Sequence, residues 1–158
     1  LVIGMEDMEP DADQVLTRLV QSALEKRYYE RVVPSLKVLA AYMDVPKDEA
    51  KDTPLMLAQK TGHALGVNHI MAGIVWRFRE RVGGSMGVES PASVGFYLYL
   101  MDVHTGEIVW KDSFQETQRS LSENILNAPV FFQRGAKWLT AADLADSGIG
   151  QIFRKMPF

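Results

Sequence analysis

Apolar positions change their spacing once along this chain, near residue 66. Before it they recur at three and four residues, and after it at two. In the second stretch Ile70, Ala72, Ile74, Trp76 and Phe78 alternate with Met71, Gly73, Val75, Arg77, Arg79 and Arg81, which predicts a strand with one set on each side. Gly83, Gly84 and Gly87 open a flexible connection that ends near Pro91. A second strand follows over residues 93–103, with Val94, Phe96, Leu98 and Leu100 on one face and Tyr97, Tyr99 and Met101 on the other. Both faces are apolar, so this strand belongs in the interior of a sheet.

The run from Asp102 through Trp110 reads as a hairpin, with His104, Thr105 and Gly106 as its tip and Gly106 in the left-handed position. A three-residue tip sets Leu100 opposite Trp110 and Phe96 opposite Phe114. The apolar alternation of each strand gives the same register independently. Three successive strands therefore form an antiparallel meander.

The first half reads as helices. Val15, Leu16, Leu19, Val20, Ala23 and Leu24 give residues 12–26 one apolar face, after a short apolar strand at residues 1–5. Glu6, Asp7, Glu9, Asp11 and Asp13 crowd the start of that helix, where carboxylates meet the positive end of its dipole; their spacing is not that of a calcium loop. Residues 29–33 predict a brief strand ended by Pro34, with Ser35 capping a helix that runs to Met43. Thr53 and Pro54 mark another helix start, Leu55, Ala58, Thr61, Ala64 and Leu65 its buried side, and Gly66 its end, although Gly62 weakens the interior. Beyond the meander, a helix is expected from Ser120 up to Pro129. Thr140 with Asp143 caps another, and residues 149–156 form a last amphipathic one.

Composition narrows the function. The 158 residues are 47% hydrophobic and 23% charged, sufficient for one domain with a real core. A net charge of −3 argues against general nucleic-acid binding. No apolar run approaches the roughly 18 residues of a membrane-spanning helix. With no cysteine there is no disulfide and no thiolate chemistry. His63, His69 and His104 are not at metal-ligand spacing, no serine sits in a nucleophile turn, and the glycines at 83–87 join strands without a phosphate-loop lysine. No catalytic residue, metal or cofactor is expected. Arg77, Arg79 and Arg81 form a basic row on one strand face, a candidate contact for an acidic partner, a polysaccharide or a neighbouring subunit. Phe131, Phe132, Trp138 and Phe158 crowd the tail and are expected to cover a core or sheet face.

Ile70-Met71-Ala72-Gly73, a strand leading into a glycine, and the stretch Asp102-Val103 through Thr105-Gly106-Glu107-Ile108-Val109-Trp110 resemble the periplasmic lipoprotein domains of the CsgG and TolB amino-terminal type, a group that includes PelC-like and LpoB-like domains. The opening strand before an acidic loop and the proline-to-helix pattern at residues 32–43 agree with it. The resemblance covers residues 1–118. It implies an α/β (α+β) domain with a single mixed, largely antiparallel sheet and helices packed on it, and residues 119–158 then form a helical C-terminal extension of one domain, residues 1–158. It also implies a non-catalytic module on the periplasmic face of the outer membrane, serving envelope assembly, secretion or polysaccharide export. Its partners would be envelope proteins or further copies of itself, with membrane attachment only through a lipid. The chain opens at Leu1, inside an apolar run and without an initiator methionine, so a native amino terminus is expected to be missing, and the lipid-bearing cysteine that the resemblance implies would lie in that missing piece. The alternative is a small-ligand-binding or enzymatic α/β domain using a cleft near residues 83–91.

Overall fold

The computed structural model describes residues 2–4, 8–83, 88–118 and 138–157. The described chain is an α+β fold. Its sheet has the strand order β1 (Val2–Gly4), β2 (His69–Arg79), β5 (Ser93–Asp102), β6 (Ile108–Thr117). β1 runs parallel to β2, and the other two pairings are antiparallel. Helices α1 (Ala12–Tyr28), α2 (Ser35–Asp44) and α3 (Pro54–Leu65) lie between β1 and β2, and α4 (Ala141–Lys155) follows β6.

The inner face of the sheet meets α1 and α4. Leu16 and Val20 of α1, Leu144, Ile149 and Ile152 of α4, and Val75, Val94, Phe96 and Leu98 of the strands form one buried cluster. A second, smaller cluster sits on the opposite face at the hairpin end, where Ala58 of α3 meets Ile70, Ala72, Met101 and Val103. β5 is thus covered on both faces for part of its length, as its two apolar sides require. The β5–β6 register is the expected one, Leu100 opposite Trp110 and Phe96 opposite Phe114, with a bulge at Val109 beside the turn. Gly106 has φ 74°, the left-handed turn position.

In β2 the structure departs from plain alternation. Pairing passes from Val75 opposite Phe96 directly to Arg77 opposite Gly95, so Trp76 is an extra residue. Phe78 consequently faces inward with Met71 and Val75, not outward with Ile70 and Ala72. Trp76 joins Arg77 on the outer side, where its indole lies over Gly95; a Cβ there would come within 2.7 Å of the ring.

Other local readings also change. Residues 29–31 form a 3₁₀ turn, not a strand. Ser35 is the first residue of α2, not its cap: its backbone N–H donates to Gln21 Oε1 at 2.6 Å, which ties α2 to α1. In α3, Thr53 accepts from the Met56 N–H and Gly66 ends the helix at φ 65°, as expected, but Gly62 is buried against Val103 while Ala64 is exposed. Val82–Gly83 and Val88–Ser90 pair as a small ribbon, β3 with β4, where an open connection was expected. The Thr140–Asp143 capping box is present, and the helix it starts runs unbroken to Lys155 where two were expected. The reason is packing: Gly148 has no side chain because the Phe114 ring presses against it. The helix expected from Ser120 and the aromatics Phe131, Phe132 and Phe158 lie outside the described residues.

Leu98 is fully buried, whereas Leu100 on the same side is only partly so. Leu98→Ala is expected to lower stability by about 2–5 kcal/mol, and Leu100→Ala by clearly less. Urea titration of the two variants checks the order, and equal losses would contradict the packing described.

Candidate functional site

Three surfaces carry side chains that the core does not consume. The first is a groove of about 1290 Å³ between α1, α2 and the sheet. Leu24 and Tyr28 of α1 and Val38, Leu39 and Tyr42 of α2 form its walls, and Met71, Leu98 and Leu100 its floor. It exists because α2 stands off the sheet: none of the helix's residues is buried. Leu36, Leu39 and Met43 recur at three and four residues along α2 and are 81%, 50% and 68% exposed. A helix that is apolar all round is normally enclosed, so this one presents an unsatisfied stripe. The signal was present in the sequence as the run Leu36 to Met43, broken only by Lys37, but the helical reading left it unassigned.

The second surface is the outer face of the sheet beyond the reach of α3. Trp76, Tyr97 and Tyr99 form a row of tilted rings with centroids 4.4 and 6.1 Å apart. Arg77 and Arg79 pair in register with Gly95 and Ser93, and Lys111 pairs with Tyr99, so all three cations share the face of those rings. Arg79 is exposed. Arg77 is half-buried, and its Nε is buried without an acceptor among the described residues. Arg81 does not belong to the row: the strand has ended, and its Nη1 donates to the Trp138 carbonyl oxygen. Of the three expected contact residues the structure brings together two, and it adds Lys111 and the aromatic row. Gly95 in the middle of an aromatic strand is the sequence feature that marks the site, since a strand glycine often signals a close approach.

The third is the hairpin tip. Asp102 Oδ1 accepts the backbone N–H groups of His104 and Thr105, each at 2.9 Å, and the Gly106 N–H donates to the Asp102 carbonyl oxygen. The Thr105 N–H foremost, then the His104 N–H and the nearby His104 and His69 rings, hold the Asp102 carboxyl below its ordinary value. The fold brings His63 and His104 edge to face at 6.2 Å and sets His104 Nε2 3.3 Å from Asn68 Oδ1. His69 is the register partner of Asp102. Among the described residues no three histidines, aspartates or glutamates are grouped as a metal site. Of the acid cluster, Asp13 lies in the first turn of α1 and Asp11 is the cap position without a side-chain bond. No described helix is long and apolar enough to cross a membrane.

No family model and no curated protein matches the chain. Solved structures do. The PelC dodecamer from Paraburkholderia phytofirmans is 16% identical and superimposes with a TM-score of 0.55 over 96% of this chain and 79% of that one. LpoB from Escherichia coli is 16% identical, with a TM-score of 0.51 over 74% of this chain and 54% of that one. A lipoprotein from Neisseria meningitidis is 15% identical, with a TM-score of 0.50 over 85% of this chain and 91% of that one. The chain therefore has the fold of PelC-like and LpoB-like lipoprotein domains, as its sequence resemblance implied.

Because the Asp102 carboxyl is depressed, its ionised form stabilises the hairpin at every pH above the ordinary value of 3.8, and that contribution disappears as pH falls below it. The gap in melting temperature between the wild type and Asp102→Ala is expected to be present from neutral pH to about pH 5 and to close under acid. A gap that persists unchanged at pH 2 would contradict this role.

Proposed function

We propose that this chain is the non-catalytic periplasmic domain of a bacterial outer-membrane lipoprotein. It acts in envelope assembly, secretion or polysaccharide export by gripping other envelope proteins or further copies of itself. Attachment to the membrane is through a lipid on a cysteine upstream of Leu1, and nucleic acid is not among its partners.

The observation that carries the reading is the PelC-like fold over nearly the whole chain, here combined with two surfaces left open. The apolar stripe of α2 and the aromatic, cationic face of the sheet are both dominated by side chains that act by contact. PelC itself was solved as a dodecamer, and this chain offers a helix stripe and a strand face that its own fold does not enclose. The groove between α1, α2 and the sheet lies away from the alternative site near residues 83–91, part of which is outside the described residues.

The test is made in the cell that carries the gene. Metabolic labelling with an alkyne fatty acid should mark the full-length product, which should fractionate with the outer membrane. A photo-crosslinker at Leu36 should give adducts with an envelope protein or with a second copy. With the crosslinker kept at position 36, Leu39→Lys with Met43→Lys should change stability by no more than about 0.5 kcal/mol, as expected for exposed positions, while those adducts vanish. A product that stays in the cytosol without lipid, or whose adducts survive the double substitution, would contradict the reading.

A further inference from the structure

We infer that the outer face of the sheet binds an acidic glycan, laid flat across the strands from β2 over β5 to β6. The inference rests on the proposed reading of that face as a contact surface and deepens it by naming the chemical class that the face takes.

Charge is the first observation. The protein carries a net −3, yet the outward positions beyond α3 include Arg77 and Arg79 on β2 and Lys111 on β6, and no carboxylate. The neighbouring acids are turned elsewhere. Asp112 is the register partner of the buried Leu98 and pairs with Lys155 of α4 at 3.4 Å, and Glu80 accepts the Ala141 N–H at 3.1 Å. None of the three cations has an ion pair among the described residues. Arg77 is half-buried, and its Nε has no acceptor there. An anion at the exposed end of that guanidinium offsets a desolvation that the fold leaves uncompensated.

The second observation is the geometry of the rings. Trp76, Tyr97 and Tyr99 form one row, with centroids 4.4 and 6.1 Å apart, that runs diagonally from β2 to β5. Arg77 and Arg79 lie at one end of it, opposite Gly95 and Ser93, and Lys111 lies at the other, opposite Tyr99. Strand spacing and rise put roughly 17 Å between Arg77 and Lys111. A ligand that follows the rings crosses the strands and meets both groups of cations. One lying along a single strand meets only one of them. The face is open by the exposure of its own side chains: Tyr97 is 44% exposed, and Lys111, Ser113 and Gln115 on the last strand are exposed as well.

The chemistry of the surface selects the class of ligand. A pyranose ring presents a flat C–H side that packs on an aromatic ring, and hydroxyls around its rim. Ser113 and Gln115, the register partners of Tyr97 and Gly95, set neutral donors and acceptors beside the row for those hydroxyls. Uronic-acid carboxylates meet the guanidinium groups at one end and Lys111 at the other. An extended peptide crossing the strands would leave its own backbone N–H and C=O groups without partners. Three cations on a protein of net −3 are too few for nucleic acid.

The probe is an oligogalacturonate hexasaccharide, titrated into the protein with calorimetry and chemical shifts as readouts. Saturable binding is expected, with the largest shifts at the Trp76 indole N–H and the Tyr97 and Tyr99 rings, and with affinity falling as salt is raised. The fully methyl-esterified hexasaccharide keeps the stacking surface and loses the charge, and should bind at least about tenfold more weakly. Arg79→Glu with Lys111→Glu, two exposed positions at opposite ends of the row, should cause a similar loss with the thermal melt unchanged. Tyr97→Ala should weaken binding about tenfold, and Tyr97→Phe, which keeps the ring, should bind nearly as the wild type does. No saturable binding, equal binding of the esterified form, unchanged affinity in Tyr97→Ala, or tighter binding of a glutamate peptide or of oligothymidylate at the same residues would each overturn the inference. The lipid label, the membrane fraction and the Leu36 adducts are separate experiments, so failure of the broader reading is seen there and failure of the glycan site here.

Discussion

β5 is hydrogen-bonded on both edges along its length, to β2 on one side and β6 on the other, and each of its two faces has to suit a different environment. That double constraint organises the molecule. Val94, Phe96 and Leu98 must point toward α1 and α4, so Tyr97 and Tyr99 must point away from them. A slip of one residue would bury the tyrosines and expose the phenylalanine, and every neighbouring strand would be forced to follow. The core and the exposed aromatic row are thus two consequences of one register.

The two bulges adjust that register where plain alternation would put a side chain on the wrong face or run into the turn. At Trp76 the extra residue lets Phe78 return to the core while two arginines stay outside. Gly95 completes the arrangement, since only a residue without a side chain leaves room for the indole. At the other end, Val109 absorbs the change from strand to tight turn, and Asp102 fastens the turn by accepting two backbone N–H groups. α2 is the counterpart: tied to α1 through Gln21 and Ser35 but buried nowhere, it offers a loosely held apolar surface beside a wide groove.

Much of this was legible in the residues because the informative features are local. Thr53 with Pro54, Thr140 with Asp143, and the turn at Gly106 are short-range chemistry, and the structure contains each of them. The pairing of Leu100 with Trp110 followed from the turn length and from alternation, two signals that agreed. What was not legible depends on contacts distant in sequence. Strict alternation cannot reveal a bulge, so Phe78 was assigned to the wrong side and Arg81 was joined to a row that ends before it. Gly148 and Gly62 look like helix breakers until Phe114 and Val103 are seen against them. The groove arises from the distance between α2 and the sheet, a quantity with no trace in hydrophobic periodicity.

The register of β5 can be examined directly through its rings. In a nuclear Overhauser spectrum, the account predicts cross-peaks between Phe96 and Phe114 and between Trp76 and Tyr97, whose centroids lie 5.7 and 4.4 Å apart. Cross-peaks linking Phe114 instead to Tyr97, with none to Phe96, would place the two strands one residue out of step and contradict both the core and the outer face described here.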